Sequence, residues 1–213
     1  TTIFELSWNL VGLEKFVVDL LMEKPYVPIL LDKILGYSSA IGERMVEMGA
    51  DVIWAGDDFG TQQGMMISPD LWRKHFKSRM KTLFNTLKNT NPKVKIAYHS
   101  CGAIRPIVPD LVEIGLEILN PIQPTAKDMD LGELKKTYGN KLAFFGGVDM
   151  QNVLPFGTVK EVEEEVKLRI RQAGVGGGFV IAPAHNIQPD TPSENVYAFF
   201  DAVKKFGTYP LDL

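Results

Sequence analysis

The sequence has 213 residues, 45% of them hydrophobic, and a formal net charge of −3 at pH 7. This composition is typical of a globular protein. Without a basic stripe or an apolar run of about 18 residues, it predicts neither a nucleic-acid partner nor a membrane span. A single cysteine excludes an internal disulfide bond and fits a reducing, cytoplasmic setting. The start of the chain lacks a signal-peptide pattern. It also lacks an initiator Met, and from this we expect a piece of a longer protein.

The first fifty residues are predicted to be helical. Apolar residues recur at helical spacing over residues 13–21, and Pro25 closes that segment. A second helical pattern runs from Leu30 to Met48 and ends at Gly49. We interpret both apolar stripes as core packing, with no function attached to them.

From residue 51 onward, short apolar runs alternate with amphipathic stretches. The runs cover residues 51–55, 94–98, 116–119, 142–145 and 178–182. Three helix starts stand out between them, since Ser68 precedes a Pro and both Thr158 and Thr191 begin a capping box that ends in Glu. Each run followed by a helix is a β-α unit, and right-handed crossovers between such units produce a parallel sheet.

Two architectures fit these units, a doubly wound open sheet and a (β/α)8 TIM barrel. The doubly wound fold prefers a Gly-rich phosphate turn after its first strand, whereas Asp57 and Asp58 at that position would repel a pyrophosphate. We therefore predict a barrel. Only five of its eight strands can be counted, so residues 1–213 are expected to form a single partial TIM-barrel domain. Leading helices occupy 1–50 in this prediction, and β-α units occupy 51–213.

Polar side chains concentrate where the predicted strands end, and in barrel enzymes these positions converge at the mouth that holds the active site. His99 and Cys101 alternate along an extended segment, so both can face one point, as two metal ligands would. By contrast, His75 lies among basic residues and is predicted to face solvent. The strand-end residues are Asp57, Asp58, His99, Cys101, Asn120, Gln123, Asp149, His185, Asn186 and Gln188.

Five ordered segments of the chain resemble the uroporphyrinogen decarboxylase superfamily. They are residues 56–62 (GDDFGTQ), 99–102 (HSCG), 120–124 (NPIQP), 145–149 (FGGVD) and 184–195 (AHNIQPDTPSEN). The resemblance covers nearly all of the chain and implies the C-terminal portion of a (β/α)8 barrel. That superfamily includes tetrapyrrole decarboxylases and zinc-dependent methyltransferases that work with corrinoid proteins or thiols.

The His-X-Cys of residues 99–101 is similar to the methyltransferase branch. Those enzymes add a third ligand, usually Cys, in the late turn where this chain has His185. The resemblance therefore implies a zinc site made of His99, Cys101 and His185, since imidazole is an acceptable zinc ligand. It also implies methyl transfer between a small methylated substrate or thiol and methylcobalamin or another corrinoid, as in O-demethylase systems, with a corrinoid protein as partner.

The other strand-end residues are expected to serve the same chemistry. Asp57, Asp58 and His185 are the expected catalytic residues, with one aspartate supplying a fourth ligand or orienting the substrate. The missing N-terminal part of the barrel is expected from the longer protein, a second chain or a homodimer. Substrate binding is assigned to Gln62, Asn120, Gln123, Asp149 and Gln188.

Three other functions stay open. A metal-free uroporphyrinogen decarboxylase of porphyrin biosynthesis would protonate a pyrrole ring with carboxylates and His, and Asp57 is its candidate acid. A metal-dependent hydrolase fits the ligand types alone. A packed scaffold without activity predicts that substitutions at His99 or His185 change stability and leave ligand affinity unaltered.

Overall fold

The structure, a computed structural model, describes residues 2–211 and consists of five strands that alternate with helices. The strands are β1 (Val52–Gly56), β2 (Lys95–His99), β3 (Ile118–Ile122), β4 (Ala143–Val148) and β5 (Phe179–Pro183), and their order in the sheet is the order of the chain. This is a partial TIM-barrel-like α/β fold, which confirms the predicted fold class. That residues 1–213 form one domain stays a prediction.

The helices follow the strands as the β-α pattern predicts. Over residues 2–211, no helix combines the length and the apolar composition needed to cross a membrane. A π-helical turn (Arg73–Lys77) joins α4 to α5, and a 3-10 turn (Arg105–Ile107) precedes α6. The α-helices are α1 (Phe4–Val11), α2 (Leu13–Leu21), α3 (Tyr26–Glu47), α4 (Pro69–Trp72), α5 (Ser78–Thr90), α6 (Val108–Glu113), α7 (Leu131–Tyr138), α8 (Val153–Phe156), α9 (Val159–Ala173) and α10 (Ser193–Phe206).

Two of the three predicted helix caps are confirmed. The Ser68 side chain accepts the backbone N–H of Leu71, and Thr158 forms the complete capping box with Glu161. The capping box predicted at Thr191 is wrong, because Pro192 takes the N-cap position of α10 and its carbonyl accepts the backbone N–H of residue 195. Thr191 therefore lies one residue too early to cap this helix.

The described residues divide into two compact units, and the first consists of residues 2–60, 65–100 and 104–118. In it, β1 and β2 pair in parallel, with Gly56 opposite His99. Its core contains fully buried aromatic rings, among which Phe4 stacks on Phe59 with centroids 4.7 Å apart and Phe76 meets Phe59 edge-on at 5.2 Å. Since Phe59 follows β1 closely in sequence, this aromatic core anchors the carboxyl end of β1.

The prediction that His75 faces solvent is wrong. His75 is only 8% exposed and lies in the π-helical turn between α4 and α5. A π-turn inserts one extra residue into the helix and so changes which side chains face the core. Its basic neighbours form ion pairs instead, Lys74 with Glu23 at the surface and the partly buried Lys77 with Asp110.

Asp110 links the π-helical turn to α6, and its ionisation is expected to make stability depend on pH. Asp110 is 8% exposed, and its carboxylate accepts hydrogen bonds from Arg73 Nε at 3.0 Å and Lys77 Nζ at 2.7 Å. Burial raises the pKa of Asp110, but these two cations outweigh burial and hold the pKa below its ordinary value of 3.8. A carboxyl whose folded pKa is depressed contributes stability above its unfolded pKa and loses that contribution as the pH falls through the folded pKa.

We therefore expect Asp110→Asn to lower the free energy of unfolding by about 1 to 2 kcal/mol at pH 7, because two charge-assisted hydrogen bonds are weakened. The difference from wild type should shrink once the pH falls below 3.8. Urea unfolding at pH 7 and near pH 3 measures both quantities, with the exposed Asp51→Asn as the matched control. An equal loss at both pH values would show that the effect does not come from ionisation.

The second unit consists of residues 61–64, 101–103 and 119–211. In it, β4 and β5 pair in parallel, with Val148 opposite Pro183. Buried apolar residues from α8, α9 and α10 pack together with Val148 as one core. Asn195, 2% exposed, donates from its amide to the carbonyls of Leu154 and Gly157. These two hydrogen bonds connect the start of α10 to the segment after β4.

Candidate functional site

Asp57 follows β1 and anchors the start of α1. Its buried carboxylate accepts the backbone N–H groups of Thr2 and Ile3 at 3.0 Å and of Glu5 at 2.9 Å, and the Tyr98 hydroxyl lies 3.3 Å away. The first N–H groups of a helix have no partner within the helix, so a carboxylate satisfies them well. Burial raises the pKa of Asp57, and the backbone donors act in the opposite direction. The structure thus shows Asp57 engaged in holding the chain in place.

Asp58 is placed beside His99 by the register of β1 and β2. The Asp57 N–H donates to the His99 carbonyl at 3.0 Å, which continues the parallel pairing one residue beyond β1. Asp58 Oδ1 then lies 3.5 Å from His99 Nε2, and both side chains are partly exposed. A carboxylate at this distance from an imidazole can orient the ring.

Glu5 belongs to the same region, although no sequence pattern pointed to it. Together with Trp54, Gly56, Asp58 and His99 it lines a cleft of about 320 Å³ in the first unit. The pKa of Glu5 is raised by its burial and further by the negative charges of the two aspartates after β1. The start of α1 is held at the end of β1 because the Glu5 backbone N–H donates to the carboxylate of Asp57, more than fifty positions away in sequence. This contact brings the Glu5 carboxyl to the end of β1.

Gly56 allows β1 to approach His99 closely, and this contact can be tested. A Cβ atom at position 56 would lie 2.6 Å from the His99 Cβ and 2.7 Å from its carbonyl oxygen. We expect Gly56→Ala to lower the free energy of unfolding by about 1 to 3 kcal/mol, because the two backbones must move apart. Gly36→Ala is the control, since a Cβ there meets nothing within 4 Å. Urea unfolding measures the free energy of unfolding of both variants. Equal values for Gly56→Ala and Gly36→Ala would contradict the close approach of β1 to His99.

Cys101 and His185 come together in the second unit. The Cys101 Sγ and a ring nitrogen of His185 lie within 4.8 Å of each other, close enough for the two side chains to be candidate ligands of one metal ion. Cys101 is half-buried and His185 is exposed. Zinc bonds to N at about 2.0 Å and to S at about 2.3 Å, so a tetrahedral ion separates the two ligand atoms by about 3.5 Å. The range up to 4.8 Å includes this separation, so the pair is compatible with a shared ion.

The segment that carries Cys101 is held from both sides within the second unit. Gly102 N–H donates to Gln123 Oε1 at 2.6 Å, and Ala103 N–H donates to the Thr61 carbonyl at 2.8 Å. Gly102 adopts a φ of 76°, a left-handed conformation that favours glycine. These bonds fix the path of the backbone directly after Cys101.

The predicted substrate-binding residues are only partly grouped. Gln123, Asp149 and Gln188 line a cavity of about 230 Å³ together with His185. Asn120 is buried in β3 and does not line this cavity. Gln62 does not line it either, but its Oε1 is buried and has no hydrogen-bond partner among residues 2–211.

Asp149 shapes the turn after β4. Its Oδ1 accepts the backbone N–H groups of Gln151 and Asn152, and its Oδ2 accepts the Asn152 side-chain amide at 2.9 Å. The backbone N–H of Asp149 in turn donates to Glu165 at 2.9 Å. Both carboxylate oxygens are thus engaged within the protein, and the turn they hold presents neighbouring side chains to the cavity.

Comparison with known proteins gives a family and relatives of two kinds. The uroporphyrinogen decarboxylase (URO-D) family matches residues 2–206. A methylcobamide:CoM methyltransferase MtaA from Methanosarcina barkeri is 29% identical over 163 residues, which are 76% of this chain and 44% of that protein. A uroporphyrinogen decarboxylase from Trichodesmium erythraeum (strain IMS101) is 25% identical over 185 residues, which are 85% of this chain and 49% of that protein.

A solved structure shows the same arrangement of the chain. A methyltransferase from Methanosarcina mazei superposes with a TM-score of 0.78 at 26% sequence identity, covering 97% of this chain and 57% of that one. The chain spans about half the length of the relatives that it matches.

Proposed function

This chain belongs to the uroporphyrinogen decarboxylase (URO-D) family, as its five ordered segments predicted, and from this we propose that it is part of a zinc-dependent methyltransferase. The reaction moves a methyl group between a corrinoid and either a thiol or a small methylated substrate. One observation carries the proposal: Cys101 and His185, far apart in sequence, place their ligand atoms within 4.8 Å of each other. The similarity to a methylcobamide:CoM methyltransferase supports it.

His99, Cys101 and His185 are the proposed metal ligands. One thiolate and two imidazoles form a donor set that suits zinc, and three protein ligands leave a fourth position open for a substrate. When bound, zinc supplies a Lewis acid that polarises the oxygen or sulfur of a methyl donor or favours deprotonation of a thiol. With imidazole as the third ligand in place of a second thiolate, the ligand set carries less negative charge.

The two aspartates after β1 take different roles in this proposal. Asp58, whose Oδ1 lies 3.5 Å from His99 Nε2, orients the imidazole ring of this proposed ligand. It is thus a positioning residue, or a fourth ligand when no substrate is bound. Asp57 supports catalysis indirectly, because its carboxylate fixes the backbone on which Asp58 is carried.

Substrate contacts are proposed for the polar residues at the strand ends. The strongest support exists for Gln62, because its Oε1 is buried and has no hydrogen-bond partner in the described part of the chain. A ligand that donates a hydrogen bond would satisfy this oxygen. Among these residues, His185 is the proposed catalytic residue, because it is a proposed ligand of the metal. The residues proposed to bind or orient substrate are Gln62, Asn120, Gln123, Asp149 and Gln188.

The partners follow from the same reaction. The corrinoid is supplied by a corrinoid protein, and the rest of the barrel comes from further residues of the same protein, a second chain or a homodimer. A cytoplasmic setting suits the site, because Cys101 must stay reduced to bind a metal.

The test is a methyl-transfer assay with the full-length protein, methylcobalamin and a panel of thiols and methylated donors. We expect the absorbance of methylcobalamin to change at a rate that depends on zinc and on one of these substrates. No turnover of uroporphyrinogen is expected. Decarboxylation of uroporphyrinogen without methyl transfer would overturn the proposal in favour of the metal-free decarboxylase, the activity named for a relative at 25% identity.

A further inference from the structure

The cavity of the second unit is lined by three glutamine side chains. Gln123, Gln151 and Gln188 surround a volume of about 230 Å³, and among residues 2–211 no lysine or arginine lines it. Its one carboxylate, Asp149, already accepts hydrogen bonds at both oxygens. Apart from the His185 imidazole, the polar groups that this cavity offers to a ligand are therefore mainly neutral amides.

Each of the three amides is held at one end by the protein. Gln123 Oε1 accepts the Gly102 N–H at 2.6 Å, and Gln151 Oε1 accepts the Thr125 hydroxyl at 2.8 Å. Gln188 Nε2 donates to a backbone carbonyl at 2.9 Å. Within residues 2–211 the opposite end of each amide makes no further protein hydrogen bond, and because Gln151 and Gln188 are exposed and Gln123 is half-buried, these ends can be reached by a ligand. Two N–H donors, on Gln123 and Gln151, and one carbonyl acceptor, on Gln188, are thus oriented and available to a ligand.

We propose that this cavity, which we call the amide pocket, binds peripheral carboxamide arms of the corrinoid. The inference rests on the proposed function, because the corrinoid is the methyl carrier in that reaction. A cobamide carries primary carboxamides around its ring, and each offers both an N–H donor and a carbonyl acceptor. Uroporphyrinogen carries carboxylates, which only accept hydrogen bonds and prefer lysine or arginine partners. The amide pocket, with its amide donors and acceptor, matches the carboxamides of a cobamide and not the carboxylates of uroporphyrinogen.

The size of the amide pocket sets how much of the corrinoid it holds. A volume of about 230 Å³ accommodates one or two carboxamide arms and is too small for the macrocycle. The ring itself stays outside the pocket. Because His185 also lines the pocket, a ring anchored by its arms here lies next to a proposed metal ligand. Gln151 and Thr125 thereby gain a role in corrinoid recognition that the sequence did not suggest.

The test titrates methylcobalamin into the full-length protein and compares Gln151→Glu with wild type. Glutamate keeps the size of the side chain but removes the N–H donor. We expect the dissociation constant to rise about threefold to tenfold, the usual worth of one hydrogen bond. Thr125→Val, which releases the Gln151 amide, is expected to weaken binding in the same direction. Asn140→Asp is the matched control, since it makes the same amide-to-acid change in an exposed turn before β4 and should leave the constant unaltered.

A second arm of the test uses a cobalamin in which one carboxamide has been hydrolysed to a carboxylate. Wild type should prefer the amide form, and Gln151→Lys should shift the preference toward the acid form. The inference would be overturned if Gln151→Glu and Thr125→Val both bind methylcobalamin as wild type does, or if they change only the KM for the thiol. In either case, methyl transfer by wild type would still support the proposed function. If wild type neither binds methylcobalamin nor transfers a methyl group, the proposed function fails and the inference with it.

Discussion

Replacing Cys101 with serine is expected to remove the metal and with it the activity. Serine has a harder and more basic oxygen that stays protonated, so the only thiolate of the proposed ligand set is lost. Since changes in the residues behind a metal ligand already cost about 10-fold to 100-fold in affinity, loss of the ligand itself should cost at least about 1,000-fold. Metal content per folded chain and the rate of methyl transfer measure the effect.

Two histidines of the chain, His185 and His75, provide a matched comparison for the same prediction. His185→Asn should lose zinc as Cys101→Ser does, because it removes a proposed ligand of the same site. His75→Asn should retain zinc, since His75 is buried in the π-helical turn and does not belong to the metal-binding group. If all three variants keep one zinc per chain, Cys101 and His185 are not ligands.

Asp57→Ala is expected to have the largest effect on stability, with the free energy of unfolding falling by about 3 to 5 kcal/mol. The substitution leaves two buried backbone N–H groups and one part-buried N–H group at the start of α1 without an acceptor, and each unsatisfied buried group costs about 1 to 3 kcal/mol. Urea unfolding followed by circular dichroism measures it.

Asp58→Ala is the control for this effect, because its side chain is 38% exposed and accepts none of these three N–H groups. It should change stability by less than about 1 kcal/mol while it reduces zinc affinity or methyl transfer. The opposite pattern, with Asp58→Ala unfolding the protein and Asp57→Ala well tolerated, would contradict the roles assigned to the two aspartates.

The sequence predicts the fold well because the responsible signals are local. Apolar runs separated by amphipathic stretches identify β-α units, and the caps at Ser68 and Thr158 form because side chain and helix start lie within three residues. His99 and Cys101 could be singled out for the same reason, since they lie two residues apart at a strand end. Their link to His185 needed the resemblance to a family, because no local pattern connects positions so far apart in sequence.

What the sequence did not predict depends on contacts between distant segments. Asp57 and Asp58 are adjacent and chemically alike, and only the position of the α1 start decides which of them is buried. Glu5 reaches the same cleft for this reason. His75 is buried because a π-helical turn changes the face on which it lies, and sequence periodicity assumes a regular α-helix.

X-ray absorption at the zinc edge of the full-length protein tests the proposed metal centre most directly. We predict one zinc per chain, with a single sulfur at about 2.3 Å and nitrogen ligands at about 2.0 to 2.1 Å. The sulfur shell should disappear in Cys101→Ser. A protein without stoichiometric zinc, or a zinc surrounded only by light atoms in wild type, would contradict the metal centre and the methyl transfer proposed from it.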